Sequence, residues 1–209
     1  MQKTNRQNQT TNDRVIRLAL KQKIFEQNKN THNHLVIEEL GVNYGVNRVD
    51  IAVLDDNIMH GYEIKSDLDN LNRLPKQIKA YDSVFGKMTI VVGQSHLLEA
   101  LDMVPEWWGI AIARHTENGE TLIINQIRNA EFNNIQDGLS IARLLWRNEA
   151  LNILEELNMA KGFRSKPRDA IYTKLSEVME LSTLDNRVRE TLIHRELWRS
   201  EPQLTLNGG

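Results

Sequence analysis

The run Val49-Asp50-Ile51-Ala52-Val53-Leu54 constrains this chain more than any other stretch. Its β-branched and aliphatic residues lead into the turn signal Asp55-Asp56-Asn57, and a second such run extends from Ile58 to Lys65. Together they predict two antiparallel strands joined by a tight turn. Asp50 is the anomaly. A carboxylate inside an apolar strand costs several kcal/mol unless a metal, a cation or a dense set of donors meets it. Left unpaired, it would make Asp50→Ala neutral or stabilising. The second strand ends in Glu63-Ile64-Lys65. Residues i and i+2 of a strand share a face, so Glu63 and Lys65 point the same way and the hairpin brings Asp50 beside them.

The flanks set the fold class. Asp13 reads as an N-cap, and Val15, Ile16, Ala19, Leu20 and Ile24 recur at helical spacing. The segment Leu35 to Leu40 is ambiguous between helix and strand. Leu71 to Phe85 returns to the helical period, Met88 to Val92 is a short β-rich run, and Ser95 caps a predicted helix running to Met103. Ile110 to Ala113 and Thr121 to Ile127 flank Asn118-Gly119, a hairpin signal. Past Gly138 strand signals stop. One long helix is predicted from Ile141 to Leu154, a second from Ala170 to Leu181 and a third from Leu184 to Trp198. The expectation is an α/β chain with a mixed sheet: a disordered lead over 1–12, a core over 13–133, a helical C-terminal module over 134–200 and a flexible tail over 201–209.

Composition removes whole classes of chemistry. Cysteine is absent, which excludes disulfides, thiolate zinc sites and cysteine nucleophiles and suits a reducing cytoplasm. No apolar run approaches the ~18–20 residues that cross a bilayer, so no membrane partner is expected. No glycine-rich phosphate loop is present, so ATP is not expected either. With 26 basic against 28 acidic residues, any surface for nucleic acid must be local. The contiguous His32-Asn33-His34 is a loop rather than a nuclease motif, and Trp107-Trp108 reads as a buried strand entry before a base-stacking platform.

Two carboxylates and an ammonium on one patch suit phosphodiester hydrolysis. Asp50 and Glu63 would hold Mg²⁺ or Mn²⁺, with the Ile64 carbonyl completing the shell. Such an ion lowers the pKa of a bound water and offsets charge on the phosphate. Lys65 orients or deprotonates that water, or stabilises the phosphorane.

The stretch RVDIAVLDDNIMHGYEIKSD resembles the signature hairpin of the PD-(D/E)xK nuclease superfamily, with Val49 at the frequent proline position. The resemblance implies a restriction-endonuclease-like core. Gln77-Ile78-Lys79-Ala80-Tyr81 matches the Q-x-x-x-Y motif of the RecB-like branch, which implies that Gln77 and Tyr81 follow the catalytic strand on a helix and contact substrate or site. EIKSDLDNLNRLPKQIKAYDSVF is similar to a small group of bacterial and phage-associated proteins, and the likeness continues through LLWRNEALNILEE to HRELWR, spanning most of residues 35–199. Such nucleases often take a further acidic ligand from the preceding helix. Glu38 and Glu39 are the candidates, only one can face the site, and Glu39 is chosen. Asp67 or Asp69 is expected to cap the next helix, and Arg73 to make an ordinary ion pair.

For substrate, the loop from Lys161 to Arg168 gathers Lys161, Arg164, Lys166 and Arg168 without an acid and suits phosphate contacts. The face of Arg14, Arg17 and Lys21 reads as solvated surface, with a DNA role as its alternative. The expected protein is a Mg²⁺-dependent deoxyribonuclease. Its rivals are a non-catalytic nucleic-acid-binding protein that keeps the fold, and a nuclease subunit active only with a partner. A homodimer or a partner protein fits either case.

Overall fold

The structure, a computed structural model, describes residues 10–29, 34–116, 119 and 121–195. Six strands form one mixed sheet in chain order. They are β1 (His34–Val42), β2 (Asn47–Asp55), β3 (Met59–Lys65), β4 (Lys87–Gly93), β5 (Gly109–His115) and β6 (Leu122–Arg128). β1 to β3 form an antiparallel meander, β3 to β5 run parallel, and β6 returns antiparallel. Parallel neighbours need crossovers. Helix α2 (Leu74–Asp82) supplies the first, and a 3₁₀ turn (Gln94–His96) with α3 (Leu97–Met103) the second. Helix α1 (Asp13–Gln27) precedes the sheet, while α4 (Gly138–Ala142), α5 (Arg147–Glu156), α6 (Arg168–Val178) and α7 (Leu181–His194) follow it.

The sheet separates two apolar layers. On one face Ile16, Leu20 and Ile24 of α1 pack against Ile51, Val53, Ile64, Val91, Ala111 and Ala113. On the other, Tyr81 of α2, Ala100 of α3 and apolar residues of α4 to α7 join Ile37, Leu40, Val49, Leu54 and Ile90 in one larger cluster. The predicted mixed sheet and helical C-terminal region are both present.

Several local expectations are corrected. The side chain of Asn12, not Asp13, caps α1 by accepting from the Val15 amide at 3.1 Å. Leu35 to Leu40 is strand, because its backbone pairs with β2 along the hairpin. Neither Asp67 nor Asp69 caps α2, which starts at Leu74 after Arg73 without a side-chain cap. Asp69 instead accepts from the Ser66 amide and hydroxyl. Ser95 caps nothing either; its amide and hydroxyl both donate to Asp67. The single long helix is two. The Glu149 carboxylate accepts from the Trp146 amide at 2.7 Å and restarts the chain as α5. Trp108 is fully buried just before β5, as expected of a strand entry. The expectations on residues 1–9, on His32-Asn33, on Asn118, on residues 196–199 (Trp198 among them), and on the 201–209 tail lie outside the described residues.

Asp67 ties three segments together at the end of the sheet that carries Glu63 and Lys65. Its carboxylate accepts from Thr11 and from Ser95, by amide and hydroxyl in each case. Burial alone would raise its pKa, but these bonds outweigh burial and lower it below the ordinary aspartate range. Stability from Asp67 is therefore present above the unfolded-state pKa and lost as pH falls through the lower folded value. Asp67→Ala is expected to cost about 1–3 kcal/mol in urea unfolding at pH 7. A midpoint equal to the parent's would show that the tie carries no net stability.

Candidate active site

β2 and β3 pair from Leu54↔Met59 to Ile51↔Tyr62 and then part. Beyond that point the Ile64 amide donates to Asp50 Oδ2 at 2.7 Å. The carboxylate thus takes the place of a ladder acceptor and holds the gap open. The two-residue alternation slips at the same level on β1 and β2. On β2, Val49 lies in the larger cluster and Ile51 in the smaller, yet Ala52 returns to the larger. On β1, Ile37 and Leu40 share the larger cluster although they are three apart. Between them Glu39 has φ 56°. That left-handed conformation costs of order 1–2 kcal/mol for a side-chain-bearing residue. The β1–β2 register keeps its offset across the slip, so Glu39 faces Asp50. The expected acidic neighbour therefore comes from a strand, not a helix.

Glu63 and Lys65 share a face, as the strand period requires, and their side chains meet at 2.5 Å. Glu63 is 2% exposed and Lys65 5%. From α2, Gln77 Nε2 donates to the same Glu63 oxygen at 2.6 Å, and the Tyr81 hydroxyl lies 3.0 Å from the other. That hydroxyl also lies 2.5 Å from the Arg48 carbonyl oxygen, so its one proton serves two acceptors. Asp50, Glu63, Ile64, Lys65, Gln77 and Tyr81 thus stand together: the hairpin places the first four, and Gln77 and Tyr81 reach Glu63 from one face of α2, where the resemblance put them.

Burial first, then the negative charge of Asp50, pushes Glu63 up to about 7, against the opposing Lys65 and Tyr81 contacts. Burial also raises Asp50, against the Ile64 amide and Arg17. Tyr81 is raised by burial and by Glu63. Two interacting carboxylates that burial disfavours as anions are what a hard cation would relieve. Gln77 Oε1 adds a buried acceptor beside Glu63 with no hydrogen-bond partner. The donor set therefore fits a divalent ion in chemistry, all of it oxygen. Among the described residues, however, no three His, Cys, Asp or Glu side chains converge as a ready cluster.

Against Asp50 and Glu39 stands a cation instead, on a helix face that reads from the sequence as solvated surface. Arg17 of α1 is 18% exposed at its side chain, and its Nη2 lies 2.8 Å from Asp50 Oδ1 and 3.2 Å from Glu39 Oε1. Its Nη1 donates to the Asp50 carbonyl at 3.0 Å, and Asp13 holds its Nε at 3.2 Å. One turn on, Lys21 pairs with Glu38. The signal was present in the sequence as the acid-rich Glu38-Glu39 and Asp50, which together need cations.

The C-terminal loop is exposed over Lys161, Arg164, Lys166 and Arg168 and borders a depression of about 550 Å³. Arg164 is engaged by Glu155. Arg168 stacks 4.0 Å from the Tyr44 ring, with Arg143 at 5.3 Å from it. Tyr44 belongs to the turn between β1 and β2, where Gly45 N donates to Val42 O and Asn43 and Tyr44 have φ 50° and 59°. That turn leads into the strand carrying Asp50, so Arg168 reaches the site's end of the sheet, whereas no such contact joins Lys161 or Lys166 to it.

Residues 6–203 match the family described as "Bacteriophage P4 protein cII". No match is found among curated proteins. Among solved structures the chain is similar to the SPO1766 protein of unknown function from Silicibacter pomeroyi, at 18% identity and a TM-score of 0.39, over 74% of this chain and 93% of that one. No helix of the described residues is long and apolar enough to cross a membrane.

Proposed function

This chain belongs to the Bacteriophage P4 protein cII family, a description that names no chemistry, and from its site we propose a metal-dependent nuclease that hydrolyses DNA phosphodiester bonds. The observation that carries the reading is the buried network of Asp50, Glu63, Lys65, Gln77 and Tyr81 at the parted ends of β2 and β3. Two interacting carboxylates, Asp50 on Arg17 and Glu63 on Lys65, with a buried amide oxygen left unpartnered beside Glu63, are the kind of perturbed cluster that marks a functional site.

Asp50 and Glu63 would hold Mg²⁺ or Mn²⁺, with Glu39 and the Ile64 carbonyl as further oxygen donors. Bound there, the ion would supply an activated water and offset phosphate charge. The protein's own residues do the rest. Lys65, hydrogen-bonded to Glu63, is placed to orient the water or to meet charge growing on the phosphate. Gln77 and Tyr81 hold Glu63 from two sides and fix its geometry, and the free Gln77 Oε1 is an acceptor for a water proton. Arg168 beside Tyr44 supports phosphate-backbone contacts at the site's end of the sheet, and the exposed Lys161, Arg164 and Lys166 of the same loop would extend them.

The test is incubation with supercoiled, linear, single-stranded and branched DNA, each with Mg²⁺, Mn²⁺ or EDTA. Cleavage of at least one form with metal and none in EDTA is expected. If every form survives while the folded protein still binds DNA, the site serves recognition and the nuclease reading falls.

A further inference from the structure

We propose that Arg17 is the resident cation of this site, occupying the place between Glu39 and Asp50 that a divalent ion would take and exchanging with it. The inference rests on the metal reading of Asp50 and Glu63 given above. The guanidinium is ringed by acids, with Asp13 at 3.2 Å, Glu39 at 3.2 Å and Asp50 at 2.8 Å. A second bond to the Asp50 carbonyl at 3.0 Å aligns it with the backbone at the slip. When ionised, Asp13, Glu39, Asp50 and Glu63 set four negative charges against Arg17 and Lys65, leaving a net of −2.

Two of the three acids on Arg17 are candidate metal ligands. A carboxylate oxygen engaged with a guanidinium cannot also face a divalent ion at ligand distance without like charges meeting. Binding of the ion and the Arg17–Asp50 pair therefore compete. The pair also explains why Asp50, its side chain 17% exposed, is tolerated beside the sheet before any ion arrives, because an unpaired carboxylate there would cost several kcal/mol. Glu39, by contrast, is half exposed and solvated. Arg17 lies at the edge of the buried stripe of Ile16, Leu20 and Ile24, its side chain 18% exposed, so its fork can turn to solvent while those three residues stay packed. Once released, it is a planar two-pronged donor at the rim of the site, the geometry that suits phosphate oxygens.

Arg17→Met keeps an unbranched stem but removes the competing charge. By calorimetry with Mn²⁺ alone, its affinity is expected to exceed the parent's by about tenfold or more, with Arg17→Lys falling between. In EDTA, Arg17→Met is expected to melt below the parent, since Asp50 and Glu39 lose their cation. In saturating Mn²⁺ that gap should close or reverse. A merely structural Arg17 would leave the same gap in both buffers and no gain in affinity, and that result overturns the exchange while parental Mn²⁺ binding keeps the metal reading intact. If neither parent nor variant binds Mn²⁺ at millimolar concentration, the metal reading fails and the exchange fails with it.

Discussion

Asp50→Asn, Glu63→Gln and Lys65→Met are each expected to lower DNA cleavage by about 10³-fold or more, with circular dichroism unchanged. The size follows from role. A group that acts on charge developing only in the transition state is worth several kcal/mol, and members of one such unit are not additive, so the triple variant should be little worse than the worst single one. Asparagine and glutamine keep the acceptor oxygens that Ile64 N, Gln77 and Tyr81 engage, while removing the charge a cation needs. The choice of Asn over Ala at Asp50 matters. An unpaired carboxylate in an apolar strand would make Asp50→Ala neutral or stabilising. In the fold Asp50 is paired, so Ala would leave the Ile64 amide without its acceptor and take from Arg17 its shortest ion pair, and should cost about 1–3 kcal/mol without metal. Cleavage at the parental rate by any one of the three variants would remove that residue from the proposed chemistry.

The hairpin was legible because its information is local. A period of two, a turn signal and an i, i+2 pair need no knowledge of the rest of the chain, and they placed Asp50, Glu63 and Lys65 together. The i, i+4 spacing put Gln77 and Tyr81 on one helical face, but their place beside the hairpin was implied by the family resemblance and not by spacing. Arg17 was not legible. Its partner Asp50 lies 33 residues away, and nothing in a helix of alternating basic and apolar residues says which face meets the sheet's rim. The segment around Glu39 is ambiguous between helix and strand in the sequence because a short apolar run carries no period of its own; pairing with β2 makes it strand, and Arg17 then bridges Glu39 and Asp50. The long helix expected after Gly138 failed because one carboxylate, Glu149, both caps α5 and holds Arg195 just past α7. The docking of Tyr44 against Arg143 and Arg168 likewise joins a turn to helices about a hundred residues on, a contact that sequence spacing does not encode.

Glu63 makes the site pH-sensitive, and the sign is fixed by the direction in which its pKa moves. Its folded pKa is raised to about 7, above the ordinary 4.5, chiefly by burial and then by Asp50. The folded state therefore holds the proton more tightly than the unfolded chain. Stability from this group is fully present below pH ~4.5 and is lost as pH rises through 7. The loss reaches up to about 3 kcal/mol, because each tenfold difference in proton affinity is worth ~1.4 kcal/mol. In EDTA, urea midpoints should fall between pH 5 and 7.5, and Glu63→Gln should flatten that fall. A divalent ion needs the carboxylate ionised, so its binding must expel the proton. Mn²⁺ affinity should then climb by nearly tenfold per pH unit below 7 and level off above it, with cleavage following the same rise. Calorimetry in buffers of different ionisation enthalpy measures the released proton directly. Affinity that stays flat from pH 5.5 to 8, with no proton released, would mean that Glu63 is already ionised by Lys65 before the ion arrives, and the pairing at 2.5 Å would then be the dominant interaction in the site.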